Sequence, residues 1–183
     1  MKSLEVIMMK KMLGEQRRQE ILQLIKKRGT PITGTELAQF ANVSRQVIVN
    51  DMNLLKAKNE PIISTSQGYY YFKQPTSTSF TQKVVCYHDA KDAKDELYTV
   101  VDCGATVNNV IIEHPIYGEM TANLQLTNRL EVDRFIEQII THRAGLLSSL
   151  TDGTHIHTLT APTNEQLLCA IEGLRQKGYL VEQ

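Results

Sequence analysis

Three observations predict an α+β chain of two domains. First, Thr33–Leu55 (TGTELAQFANVSRQVIVNDMNLL) reads as two short helices joined by a tight turn. Second, Ile62–Lys73 (IISTSQGYYYFK) sets β-formers on either side of Ser66-Gln67-Gly68 and reads as a hairpin. Third, residues 74–82 (QPTSTSFTQ) are polar, Pro-bearing and rich in Ser and Thr, and beyond them strands and helices alternate. Three helices followed by a hairpin make a winged helix-turn-helix domain, placed at residues 13–73, with 74–82 as linker. Residues 83–183 then form an α+β domain with a mostly antiparallel sheet. A chain of 183 residues suits two such domains.

The first domain opens with an amphipathic helix, Glu15–Arg28, whose stripe is Ile21, Leu22, Leu24 and Ile25 and whose stop is Gly29. Its basic end, Lys26 to Arg28, either touches phosphates or complements the helix dipole. Thr33 caps a helix from Gly34 to Phe40, and Ala41-Asn42-Val43 is the turn. Ser44 caps a second helix, Arg45 to Ala57. Along it Val47, Ile48, Asp51, Leu54 and Leu55 recur at helical spacing, with Ile48, Met52 and Leu55 the most buried. The outward face carries Ser44, Arg45, Gln46, Val49, Asn50 and Asn53, donor-rich groups that suit a major groove. Lys73, at the end of the hairpin, is placed to touch a phosphate.

In the second domain Lys83–His88 is a strand and Asp89–Val101 a helix with Ala93, Leu97 and Val100 or Val101 inward. Val107–His114 and Glu119–Leu124 are strands about a Pro115–Gly118 break. Asn128–Ala144 is a helix carrying Leu130, Phe135, Ile136, Ile139 and Ile140. Asp152-Gly153 precedes a strand, Thr154–Leu159. Thr163 caps a helix to Lys177, and Gly178–Val181 is a closing strand.

Charge separates the halves. Residues 1–73 hold twelve Lys and Arg against six Asp and Glu, and the remainder eight against fourteen, although the whole chain is neutral. A basic half beside an acidic one points to a nucleic-acid surface on the first. No stretch approaches the roughly 20 apolar residues of a membrane span, and Met1–Lys11 lacks the order of a signal peptide. Three scattered cysteines, Cys86, Cys103 and Cys169, predict reduced thiols in a cytoplasm rather than a disulfide framework.

Chemistry concentrates in the histidines. Alternation puts His155 and His157 on one strand face, about 7 Å apart. His88 ends the first strand of the domain, and Glu96 lies on the following helix. Three neutral imidazoles and a carboxylate suit Zn²⁺, Ni²⁺, Fe²⁺ or Co²⁺ better than Mg²⁺ or Ca²⁺.

The segment LAQFANVSRQVIVNDMNLLKAKNEPIISTSQGYYYF, followed by VCYHD, EHPIYGEM and GTHIHTL, resembles the niacin-responsive transcriptional repressors of NAD metabolism in Firmicutes and Thermotogae. These join a winged helix to a 3H domain, and the resemblance runs from about Leu13 to the end. It implies a repressor of NAD-biosynthesis and niacin-uptake genes that binds double-stranded operator DNA with nicotinic acid as corepressor. It implies a transition metal, nickel in the family, on the positions matching His88, Glu96, His155 and His157. It makes His114, in EHPIYGEM, an effector-pocket candidate. Arg129, Arg134 or Arg143 is a candidate second contact to the nicotinate carboxylate. A homodimer held by the second domain fits a palindromic operator. Rival readings are a metal-responsive regulator, a metallohydrolase and a plain interaction module. Only the first two use the histidines, and the hydrolase leaves the DNA-binding half unexplained.

Overall fold

The computed structural model describes residues 13–72 and 79–181. Lys73 and linker residues 74–78 lie outside the described residues. The chain divides into two compact units, one of helices with a hairpin and one built on a four-stranded sheet.

In the first unit α1 (Gly14–Arg28), α2 (Gly34–Ala41) and α3 (Arg45–Ala57) precede β1 (Ile62–Thr65) and β2 (Gly68–Tyr71). The start of α2 is a full capping box: Thr33 Oγ1 accepts from the Glu36 amide while the Glu36 carboxylate accepts from the Thr33 amide. Asn42, at φ 51°, turns the chain into α3, and Ser44 Oγ accepts from the Val47 amide. Ile21, Ile25, Leu37, Ile48, Met52 and Ile62 close the core. Gly68 cannot carry a side chain, because at φ 124° a Cβ would stand 2.4 Å from the Ile32 carbonyl oxygen. That close approach lets Ile32 and Tyr69 bond backbone to backbone, tying the hairpin to the segment before α2.

One apolar-looking position departs from the stripe. Leu54 of α3 is exposed, and Asp51 is buried in its stead. The Asp51 carboxylate takes both ends of the Arg17 guanidinium, at 2.6 and 3.1 Å, and Arg18 approaches at 3.4 Å. An ion pair of this geometry fixes the rotation of α3 against α1.

The second unit contains β3 (Phe80–Tyr87), α4 (Ala93–Asp102), β4 (Thr106–His114), β5 (Gly118–Leu126), α5 (Arg129–Thr141), β6 (Thr154–Ala161) and α6 (Asn164–Gln176). The sheet order is β3-β6-β4-β5, and every pairing is antiparallel. Val84, Leu97, Val100, Leu126, Leu159 and Leu174 lie at the heart of its core.

Several expectations are corrected here. Residues 80–82 belong to β3 and not to the linker: Phe80, Thr81 and Gln82 pair with Ala161, Thr160 and Leu159. Their polar composition suits an exposed strand end as well as a loop. Gly178–Val181 is not a strand; Leu180 makes a single bridge to Cys86 beside β3. In α5 Leu130 and Ile140 are exposed, while Val132 is the buried residue. Short 3₁₀ turns, at Ala90–Asp92 before α4 and at Leu147–Thr151 before β6, replace stretches read as α-helix and as loop. Cys103 and Cys169 are joined as a disulfide with their Cα atoms 5.8 Å apart, and only Cys86 among the cysteines is free. Sixty-six residues separate the pair in sequence. The packing of the end of α4 beside α6 brings them together.

Candidate functional site

The antiparallel ladder of β3 on β6 builds the centre of the site. Cys86 faces His155 and Val84 faces His157, so these four side chains share the inner face of the sheet. His88 follows the end of β3, and the 3₁₀ turn after it swings the chain so that Glu96, in the first turns of α4, returns over the sheet. His88, Glu96, His155 and His157 therefore meet, and all four are buried. The Nε2 atoms of His88, His155 and His157 stand 2.8, 3.3 and 3.3 Å from the Glu96 carboxylate oxygens.

The opposite ring nitrogens decide the chemistry. Nδ1 of His88, His155 and His157 faces the backbone carbonyl of Asp89, Gly153 and Asn109, at 2.8, 2.8 and 2.7 Å. A carbonyl only accepts, so each Nδ1 carries a proton and donates it. A neutral ring then presents a lone pair at Nε2, and three lone pairs converge on a carboxylate. Acceptors facing acceptors repel unless a cation or added protons stand between them. The donor set, with each Nδ1 held by a backbone partner, fits a divalent transition ion. Gly153 is required in this frame: at φ 93° a Cβ would lie 2.4 Å from the His88 carbonyl oxygen.

Electrostatics follow the same geometry. Burial works against charge on His88 and on His157, but Glu96 beside them more than offsets it and raises both above the ordinary histidine value. Burial alone would raise Glu96; the charge of His157 and the hydrogen bonds of the three imidazoles hold it well below the usual carboxylate range.

The four residues form one wall of a cavity of about 400 Å³. Its other walls are apolar, among them Leu97, Leu124, Phe135, Ile139 and Leu147, with the buried Ser148 beside them. The volume and the mostly apolar lining with a few polar groups suit a small ligand. The segment Gly145–Leu150, which carries no sequence motif, supplies one side. Neither His114 nor any of Arg129, Arg134 and Arg143 lines this cavity. His114 lies four residues, about 13 Å, past the cavity-lining Val110 along β4, and its Nδ1 accepts from the Ile116 and Tyr117 amides in the β4–β5 turn. Arg143 is exposed beyond the end of α5 at φ 50°, and Arg129 is held by Asp102 at 2.7 and 2.6 Å. His142 is exposed, its Nδ1 on the Gln138 carbonyl.

In the first unit Ser44, Arg45, Gln46, Asn50 and Asn53 are exposed on one side of α3, and Val49 is half-buried. Gln46 donates to Asn50 at 3.4 Å, a contact readily exchanged for a base edge. Of the basic end of α1, Arg28 pairs with Glu36 and Lys26 with Glu60 within the unit, while Lys27 is exposed.

A helix-turn-helix unit with a polar, exposed face on α3, joined to a unit whose buried histidines line an apolar cavity, is the build of a DNA-binding regulator. Residues 17–70 match the HTH domain family and residues 81–183 the 3H domain family. The chain is 46% identical over 174 residues to the transcription repressor NadR of Bacillus subtilis, spanning 94% of this chain and 97% of that protein. It is 31% identical over 173 residues to the probable transcription repressor NiaR of Thermotoga maritima, spanning 94% and 98%. The chain belongs to this family of transcription repressors.

Proposed function

We propose that the chain represses genes of NAD biosynthesis and niacin uptake, with nicotinic acid as corepressor bound in the cavity of the 3H domain. The observation that carries this reading is the convergence of three imidazole Nε2 atoms and one carboxylate on an apolar cavity of about 400 Å³. His88, Glu96, His155 and His157 would hold a divalent transition ion, nickel or zinc in the first instance, with iron or cobalt also suited to the donors. When bound, the ion supplies a Lewis-acid contact for the pyridine nitrogen or the carboxylate of the ligand. Phe135, Leu97 and Leu124 enclose the ring and exclude water, and Ser148 offers a hydroxyl. The imidazoles are kept in register by the carbonyls of Asp89, Gly153 and Asn109.

On the DNA side Arg45 and Gln46 begin the recognition helix, where side chains reach base edges of the operator. Two copies of the chain, joined through the 3H domain, would match the two half-sites of a palindrome in the cytoplasm. Nicotinate then acts by favouring the arrangement of the two winged helices that fits that spacing. A preference of a few kcal/mol between arrangements is enough to shift operator occupancy. The regulator reading sets the protein apart from enzymes, in keeping with the repressor names of both relatives.

The test is a mobility-shift assay on the upstream region of the chain's own gene, with nicotinate, nicotinamide and NAD in parallel, each with and without added metal. Tightening by nicotinate alone supports the reading. Tightening by metal with no response to nicotinate would establish the second reading, a regulator for which the metal is the signal. Light scattering on the same samples reports the dimer.

A further inference from the structure

Strand β3, which ends just before His88, brings a second donor to the site two residues earlier. Cys86 is 0% exposed and pairs with His155 across the β3–β6 ladder, so the two side chains stand together on the inner face. Cys86 Sγ, a Glu96 oxygen and a His155 ring nitrogen all lie within 4.8 Å of one another, and all three residues are buried. Donor atoms around one tetrahedral ion, with a metal–sulfur distance of about 2.3 Å and a metal–nitrogen distance of about 2.1 Å, stand roughly 3.5 Å apart. Small side-chain rotations therefore suffice to close these three donors on one centre. Glu96 spans the whole cluster: one oxygen meets His155, the other meets His88 and His157.

We infer that Cys86 is a ligand of the ion at this site, its thiolate joining Glu96 and the imidazoles. The inference rests on the proposal that the site is a metal centre, and it adds a sulfur to a donor set otherwise made of nitrogen and oxygen. Binding breaks the S–H bond, forms a sulfur–metal bond and releases the proton to solvent. A sulfur donor softens the site and favours zinc or cobalt over magnesium, calcium or manganese. It also gives the site a spectroscopic signature that imidazole and carboxylate lack.

The experiment uses the full-length chain carrying Cys103→Ser and Cys169→Ser, which leaves Cys86 as its only cysteine. The protein is stripped with chelator and titrated with cobalt(II), and cobalt content is measured by elemental analysis. The expected result is a near-ultraviolet sulfur-to-cobalt charge-transfer band that grows with the visible d–d absorption and saturates at one equivalent. Adding Cys86→Ser should abolish that band, because no cysteine sulfur then remains to donate charge to the cobalt. The unsubstituted chain should show the same band, which guards against misfolding of the double variant. Cobalt bound at one equivalent with d–d absorption but no charge-transfer band would overturn the inference, leaving Cys86 a buried neighbour of Glu96 and the metal centre intact. No cobalt uptake by the unsubstituted chain would overturn both.

Discussion

Asp51 lies on α3, the second helix of the helix-turn-helix, yet it faces inward. Its side chain is 3% exposed and that of Arg17 is 10% exposed, and two short charge-assisted bonds join them. Asp51→Ala removes the carboxylate from the buried Arg17 guanidinium, which keeps its other contacts. Breaking a buried pair in this one-sided way costs up to about 3–5 kcal/mol, and less where the remaining charge keeps other contacts. Arg18 sits nearer solvent and has Glu15 as another partner, so it adds little to the loss. Against a stability of roughly 5–15 kcal/mol for a whole domain, the change is a large share. For a domain of this size each kcal/mol moves the midpoint by about 4–8 °C, so the first unit should melt more than about 4 °C lower. Scanning calorimetry of the full chain would read it, with the 3H domain as internal reference. The reciprocal variant, Arg17→Met with Asp51→Leu, replaces both charges by apolar groups and should recover most of the stability. A drop below about 1 kcal/mol for Asp51→Ala alone would refute the argument that this pair locks α3.

Three further outcomes follow from the same structure. Arg45→Ala should cost about 1–3 kcal/mol of operator affinity and relax specificity at one or two positions; unchanged affinity would put the reading face of α3 elsewhere. His157→Ala should sharply lower metal occupancy and remove the nicotinate response while basal DNA binding stays, whereas the exposed His142→Ala should change neither; calorimetric nicotinate binding that survives in a metal-free His157→Ala protein would separate the ion from the effector pocket. The raised values of His88 and His157 add stability to the metal-free fold that is complete below their unfolded value of 6.5 and is lost as pH climbs through the higher folded values. The melting temperature of the metal-free 3H domain should therefore fall above about pH 6.5, and zinc, which needs neutral rings, should restore it; a flat profile across that window would count against Glu96 as their partner. Glu96, held low, acts in the opposite sense, adding stability above 4.5 that is lost only as pH falls through its folded value.

Local signals made most of the elements legible. Thr33, Ser44, Asn128 and Thr163 each accept the amide bond of a helix cap, and a cap lies within three residues of its partner. Period-two alternation likewise placed His155 and His157 on one face before any pairing was known, because a strand imposes that geometry by itself. Polar strand ends such as Thr81 and Gln82, and exposed apolar residues such as Leu130 and Ile140, were not legible. Their environment depends on whether another element covers them, and that is a property of the packed chain.

The sequence by itself determined the two-domain order, the helix-turn-helix and the shared strand face of His155 and His157; that His88 and Glu96 join them was implied by the family resemblance and not by spacing. The first three follow from spacing along a helix or strand, or from motifs in a fixed order. The tertiary structure alone decided what meets what. It set Asp51 against Arg17 across thirty-four residues and Cys86 across the ladder from His155. It joined Cys103 to Cys169, and it placed Phe135 and the Gly145–Leu150 segment around the cavity while leaving His114 and Arg143 outside. Such contacts depend on sheet order and helix packing, which the whole chain settles together by burying its apolar faces. Short-range spacing carries no information about which distant segment will lie on the other side.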